Sequence, residues 1–198
     1  MTMYDKKQKE SGKVVYTITG SAKTGTSTSA AFNSEVFNEK GKSISKSSGK
    51  YKCTGGILLV DAKVALPSDQ SSLYQDAEVK AEDSFIEYPA SMSSGQALKD
   101  ASFKMDMIKN GSTFSTVNFE ESERKVIGKE SITTPAGTWE CWKITFNAFM
   151  KVTMTGIGIP VRMQVTEWFA PGFGIVKTET ANKNGKLMGS TMITKVQK

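Results

Sequence analysis

The stretch TWECWKITFNAFMKVTMT, residues 138–155, decides the fold. From Phe146 onward the residues Phe146, Ala148, Met150, Val152 and Met154 alternate with Asn147, Phe149, Lys151, Thr153 and Thr155. A period of two, rich in aromatic and β-branched side chains, is the signature of a strand with one face buried. At about 3.3 Å per residue such a strand exceeds about 50 Å if straight, far beyond an ordinary strand. Twist accumulates along it, so it has to coil around something, either a plug or a guest. Gly156 and Gly158 then release the chain through Pro160 into a second alternating run, Val161 to Phe169.

Outward from this pair, one turn pattern occurs three times: Asp5-Lys6-Lys7-Gln8-Lys9, Asn38-Glu39-Lys40-Gly41-Lys42 and Asn182-Lys183-Asn184-Gly185-Lys186. An Asp or Asn bonding forward, two polar residues and a glycine in the left-handed region describe a type I turn closed by a glycine bulge. Each predicts a hairpin, with Gln8 the departure from the pattern. Around these turns lie the runs Lys13–Thr19, Thr26–Phe37, Ser43–Cys53 and Gly56–Asp61, a meander. Asn110-Gly111 marks a hairpin between Phe103–Lys109 and Thr113–Phe119, and the last turn joins Ile175–Ala181 to Lys186–Val196. One short helix is expected from about Asp69 to Ala77, because Pro67-Ser68 supplies a stop and a cap while Leu66, Leu73, Tyr74 and Ala77 share a face. Its expected role is to plug an open end or cover the mouth of a sheet. The fold class predicted is all-β, a strongly curved antiparallel half-barrel or open barrel with one short helix, as a single domain over 1–198.

Composition agrees with a folded domain: 38% hydrophobic and 23% charged residues. The 26 Lys+Arg against 20 Asp+Glu give a net charge of +6. The lysines sit singly beside turns with no basic stripe of interleaved aromatics, which reads as solvated turn residues rather than a nucleic-acid surface. No run approaches the length of a transmembrane helix.

Candidate chemistry is sparse. There is no histidine, which excludes Ser-His-Asp, Cys-His and HExxH centres. The glycines form no nucleotide-binding loop. Glu120, Glu121 and Glu123 beside Arg124 and Lys125 read as a solvated strand end of mixed charge. Glu167-Trp168, before a Pro-Gly-Phe-Gly turn, reads either as a ligand-contacting corner or as a core tryptophan with a surface-paired acid. The methionines are the one compositional pointer to function. Met105 and Met107, Met150 and Met154, Met163, and Met188 and Met192 lie on alternating strand positions, so several can share one concave face, where flexible side chains suit varied apolar guests or simply fill a core. The predicted ligand-facing set is Phe103, Met105, Phe146, Met150, Val152, Met154, Met163 and Trp168, with no metal site and no cofactor.

The segment TTPAGTWECWKI, residues 133–144, resembles the "TPAGT-aromatic-x-C-x-K-I" segment of the TapB-like bacterial envelope family, relatives of lipoprotein-localisation-factor-like half-barrels found mostly in Bacteroidetes. Tyr88-Pro89 with Gly95-Gln96, the run from Glu167 to Gly174 and the run from Asn184 to Gly189 agree with it in order and spacing. The resemblance implies a periplasmic or surface-associated protein, exported with a leader that is removed, with a curved sheet able to hold an apolar ligand and no established activity. It also favours a disulfide between Cys53 and Cys141, which the 88-residue spacing leaves open against two buried free thiols. The function expected is non-catalytic binding of a lipid, another apolar molecule or a hydrophobic peptide in the concave face. The alternative is a structural or protein-interaction module of the envelope.

Overall fold

The computed structural model describes residues 1–62, 78–81, 84–154 and 156–197. Among the described residues, thirteen strands form one sheet, every neighbouring pair antiparallel. They are β1 (Thr2–Asp5), β2 (Glu10–Thr24), β3 (Ser27–Asn38), β4 (Ser43–Thr54), β5 (Ile57–Asp61), β6 (Glu78–Ala81), β7 (Phe85–Pro89), β8 (Ala101–Lys109), β9 (Ser112–Thr134), β10 (Gly137–Met154), β11 (Ile157–Ala170), β12 (Gly174–Asn182) and β13 (Leu187–Met192). The order across the sheet is β6-β8-β9-β10-β11-β12-β13-β1-β2-β3-β4-β5-β7. The short β1 carries the closure, because it pairs with both β13 and β2 and so joins the two ends of the chain.

The long strand read from the sequence is β10, and its partner β9 is longer still at 23 residues. Such lengths force the sheet to coil into a nearly closed barrel. Its interior is one cluster that takes side chains from both ends of the strand order: Val60 of β5, Ile86 and Tyr88 of β7, Phe103 and Met105 of β8, and Phe169 of β11. Tyr88 stacks on Phe169 with ring centroids 4.8 Å apart, and Phe103 on Phe119 at 5.0 Å. A smaller cluster of Met3, Val14 and Val36 fills the side built from β1, β2 and β3. There, Gly49 of β4 leaves room for the Phe32 ring, which a Cβ at that position would meet at 2.5 Å.

The sheet does not seal. No strand ladder joins β7 to β8 among the described residues. Side chains lace this seam instead. Ser84 Oγ donates to the Ser102 carbonyl at 2.9 Å, and Lys99 Nζ lies 2.5 Å from Glu87 Oε1.

The three repeated turns share one hydrogen-bond pattern. Asp5 Oδ1 accepts from the Lys7 and Lys9 amides, Asn38 Oδ1 from Lys40 and Lys42, and Asn182 Oδ1 from Asn184 and Lys186. Gly41 and Gly185 take φ of 76° and 75°, and Gln8 occupies the same conformation at 61°. A Cβ at either glycine meets nothing within 4 Å, so substitution there acts through backbone strain alone. Gly41→Val and Gly185→Val are each expected to cost about 1 kcal/mol or more, and Gln8→Gly to add up to about 1 kcal/mol. Urea unfolding checks this: equal midpoints for all three variants and the parent would refute the shared turn.

Two expectations are corrected here. Cys53 and Cys141 are both free thiols, the first exposed and the second buried. Six strands lie between β4 and β10 in the order of the sheet, so no bridge forms. Burial, helped by Glu140 and Glu130, raises the Cys141 thiol to about 11. Of the charged group at 120–125, Glu120, Glu123 and Lys125 are exposed, but Glu121 and Arg124 are buried and so are not part of a solvated strand end. The helix expected over 69–77 lies outside the described residues.

Candidate functional site: a charged cluster in the barrel interior

The interior-facing residues of β10 are the even-numbered ones. Phe146, Met150 and Val152 are buried, as are Phe103, Met105 and Met163 on the neighbouring strands, and all six belong to one packed cluster. Met154 is the exception at 39% exposure. It pairs with Ile157 at the end of the hairpin, where β12 no longer flanks β11.

Trp168 lies on the opposite, convex face. Alternation along β11 turns Glu167 and Phe169 inward and Trp168 outward, beside its cross-strand partners Lys143 and Lys177. Their ammonium groups stand 5.2 and 4.3 Å from its ring, cation–π contacts that shield the indole. The indole N–H donates to Glu130, and Trp168 packs with Cys141, Ala170 and Val176. It is a covering residue of the outer wall, not a wall of the concavity.

At the heart of the interior is a group that the alternation rule does not show. A bulge interrupts β9 where it passes Thr145 to Asn147 of β10, with Glu123 at φ 56°. The extra residue resets the parity, so that Glu121 and Arg124, three apart, both point inward. Arg124 Nε lies 3.1 Å from Glu121 Oε2. The guanidinium sits 5.0 Å from the Tyr88 ring centre and 5.9 Å from that of Phe146. Its Nη1 donates to the main-chain carbonyls of Glu87, at 3.2 Å, and Lys99, at 2.8 Å. Those carbonyls belong to the two sides of the seam, so one buried arginine fastens both from within. Tyr88 completes the group by donating its hydroxyl to Glu167 Oε2 at 2.8 Å.

The electrostatics follow from burial. Two carboxylates and one guanidinium carry a net negative charge that a low-dielectric interior resists, and the group relieves it by keeping a proton. Desolvation, then the neighbouring Glu167, pushes Glu121 up to about 8 despite the opposing pull of Arg124. Glu167 is likewise raised by desolvation, against Arg124 and the Tyr88 hydroxyl. Tyr88 is held neutral, far above its ordinary value, by burial and by both acids. The cluster is closed off from solvent and has no exposed group to present to a substrate. Only the Glu-Glu-Ser-Glu-Arg run inside an otherwise alternating segment hinted at it. A surface recess of about 400 Å³, lined by Gln8, Gln164, Thr166, Glu179, Ala181, Gly185 and Leu187, shares none of these residues.

The architecture has solved counterparts. A crystal structure of a candidate lipoprotein from Parabacteroides distasonis is similar to this chain at 24% identity and a TM-score of 0.84, covering 99% of this chain and 92% of that one. A candidate exported protein with a YmcC-like fold from Bacteroides fragilis is similar at 19% identity and a TM-score of 0.82, covering 100% and 93%. No curated protein matches the chain. The family model that does match spans residues 1–193, nearly the whole barrel, and the chain belongs to the DUF3108-like family.

Proposed function

We propose that this protein is a non-catalytic interaction module of the bacterial cell envelope, acting through its outer surface on a scaffold filled by its own side chains. The observation that carries this reading is the interior packing. The residues expected to line a ligand channel, Phe103, Met105, Phe146, Met150, Val152 and Met163, form one cluster with Tyr88, Phe119 and Phe169 around the buried arginine. Such packing is that of a protein core, whereas a carrier presents a concave, preformed site. The lack of histidine and the enclosure of the charged cluster support a role without catalysis. Export to the periplasm or cell surface is supported by the TapB-like resemblance and by the descriptions of the two structural neighbours.

Native mass spectrometry of the protein as isolated tests this. The expected spectrum shows the mass of the bare chain. A stoichiometric lipid or other apolar adduct that survives desalting would overturn the filled-scaffold reading in favour of a carrier.

A further inference from the structure

We infer that one rim of the barrel is a docking surface for an anionic bilayer. Because all neighbouring strands are antiparallel, the hairpin turns alternate between the two ends of the barrel. One end receives the turns β1–β2, β3–β4, β8–β9, β10–β11 and β12–β13; the other receives β2–β3, β4–β5, β9–β10 and β11–β12. The charge is divided unequally between them. Turns at the first end carry Lys6, Lys7 and Lys9, Lys40 and Lys42, and Lys183 and Lys186, all exposed, against two acids inside those turns, Asp5 and Glu39. None of these lysines is in an ion pair among the described residues. The turns at the other end, 25–26, 55–56, 135–136 and 171–173, contain no charged residue.

The same basic end carries the most exposed large apolar side chains among the described residues. Ile157 and Ile159 are 70% and 63% exposed, beside Met154. They lie on the part of β11 that runs past the β12–β13 hairpin, since β12 pairs with β11 only from Met163 onward. The β10–β11 hairpin is therefore a tongue with Met154, Ile157 and Ile159 on one face and Lys151 and Arg162 on the other, set beside a ring of unpaired ammonium groups. Apolar side chains that enter the headgroup region, combined with lysines that meet lipid phosphates, are the two parts a peripheral membrane surface needs. Lysines spread over separate turns suit a plane of charge better than a single acidic peptide or a nucleic-acid groove.

Vesicle co-sedimentation of the full chain tests the assignment, with phosphatidylcholine vesicles compared against vesicles containing about one-third phosphatidylglycerol. Binding is expected to the anionic vesicles only, falling at least tenfold when salt is raised from about 0.05 to 0.5 M, because exposed charges are then screened. The combined variant Lys40→Glu, Lys42→Glu, Lys183→Glu, Lys186→Glu is expected to lose at least tenfold in partitioning, and so is Ile157→Ser with Ile159→Ser. Lys23→Glu with Lys50→Glu, on the halves of β2 and β4 farther from this rim, is expected to bind as the parent does. All these positions are exposed, so circular dichroism and melting should match the parent. Absence of anionic-vesicle binding, equal loss in the Lys23/Lys50 variant, or binding to nucleic acid or acidic protein without binding to vesicles would each overturn the assignment. Native mass spectrometry for a bound lipid is a separate readout, so failure of the rim leaves the filled-scaffold reading to stand or fall by itself.

Discussion

Replacing Arg124 by alanine is expected to lower the stability of the barrel by about 3–5 kcal/mol, the cost of leaving buried charge without its partner. Three losses coincide at this position. Glu121 loses the cation 3.1 Å away, Glu167 loses the nearby positive charge that opposes its desolvation, and the carbonyls of Glu87 and Lys99 lose the donor that spans the seam. Arg124→Lys separates these contributions. An ammonium restores the charge but lacks the planar fork that reaches two carbonyls and a carboxylate together, so the lysine variant should fall between parent and alanine. Adding Glu121→Gln and Glu167→Gln to Arg124→Met removes the uncompensated charge and should recover part of the loss, leaving the seam's share. Equilibrium unfolding in urea, with the slope checked for constancy, reads these differences. A loss below about 1 kcal/mol for Arg124→Ala would show that the seam and the acids do not depend on it.

Stability should also decline as pH rises from about 4.5 toward about 8, the reverse of what exposed, cation-paired carboxylates produce. In the unfolded chain both acids ionise near the ordinary carboxylate value. In the folded barrel the pair keeps a proton until about 8. The native state therefore binds more protons through that window, and each additional bound proton removes up to about 1.4 kcal/mol of stability per pH unit. The contribution is fully present below the unfolded value and is lost as pH passes through the folded one. Asp5 and Asp106 act in the opposite sense at the acid end. Amide donors from Lys9 and Lys7 hold Asp5 low, and Thr116 holds Asp106 low, so their stabilisation is lost as pH falls. Melting curves at pH 5, 6, 7 and 8 check the slope, with Glu121→Gln expected to flatten it. A parent that is equally stable at pH 5 and pH 8 would refute a shared buried proton.

What the sequence determined by itself is what depends on neighbours along the chain. The alternation from Phe146 to Val152 forms a strand with a buried face because successive side chains must point to opposite sides. The Asx-capped turns close because donor and acceptor are two to four residues apart, and Asn110-Gly111 turns because both residues accept positive φ. The antiparallel barrel follows from these local rules together with the length of β9 and β10.

Only the tertiary structure decided the site. The inward set from Phe103 to Met163 was legible because regular alternation preserves facing, but one bulge at Glu123 shifted the phase and carried Arg124 inside. Its partners Glu87 and Lys99 are 37 and 25 residues away; Lys99 is brought close by the bridge of Ala97 to Lys125, and Glu87 of β7 only because the sheet curls until its two edges meet. Trp168 is buried as a core tryptophan, but in a separate cluster on the other face, and Glu167, read as a surface-paired acid, is buried against Tyr88, since which side of β11 faces the main core is fixed by the closure and not by hydrophobicity. The separation of Cys53 from Cys141 is set by strand order, and so is the gathering of lysines from three distant turns onto one rim. Parity, edge meeting and rim assignment are properties of a closed surface, so no local stretch of chain contains them.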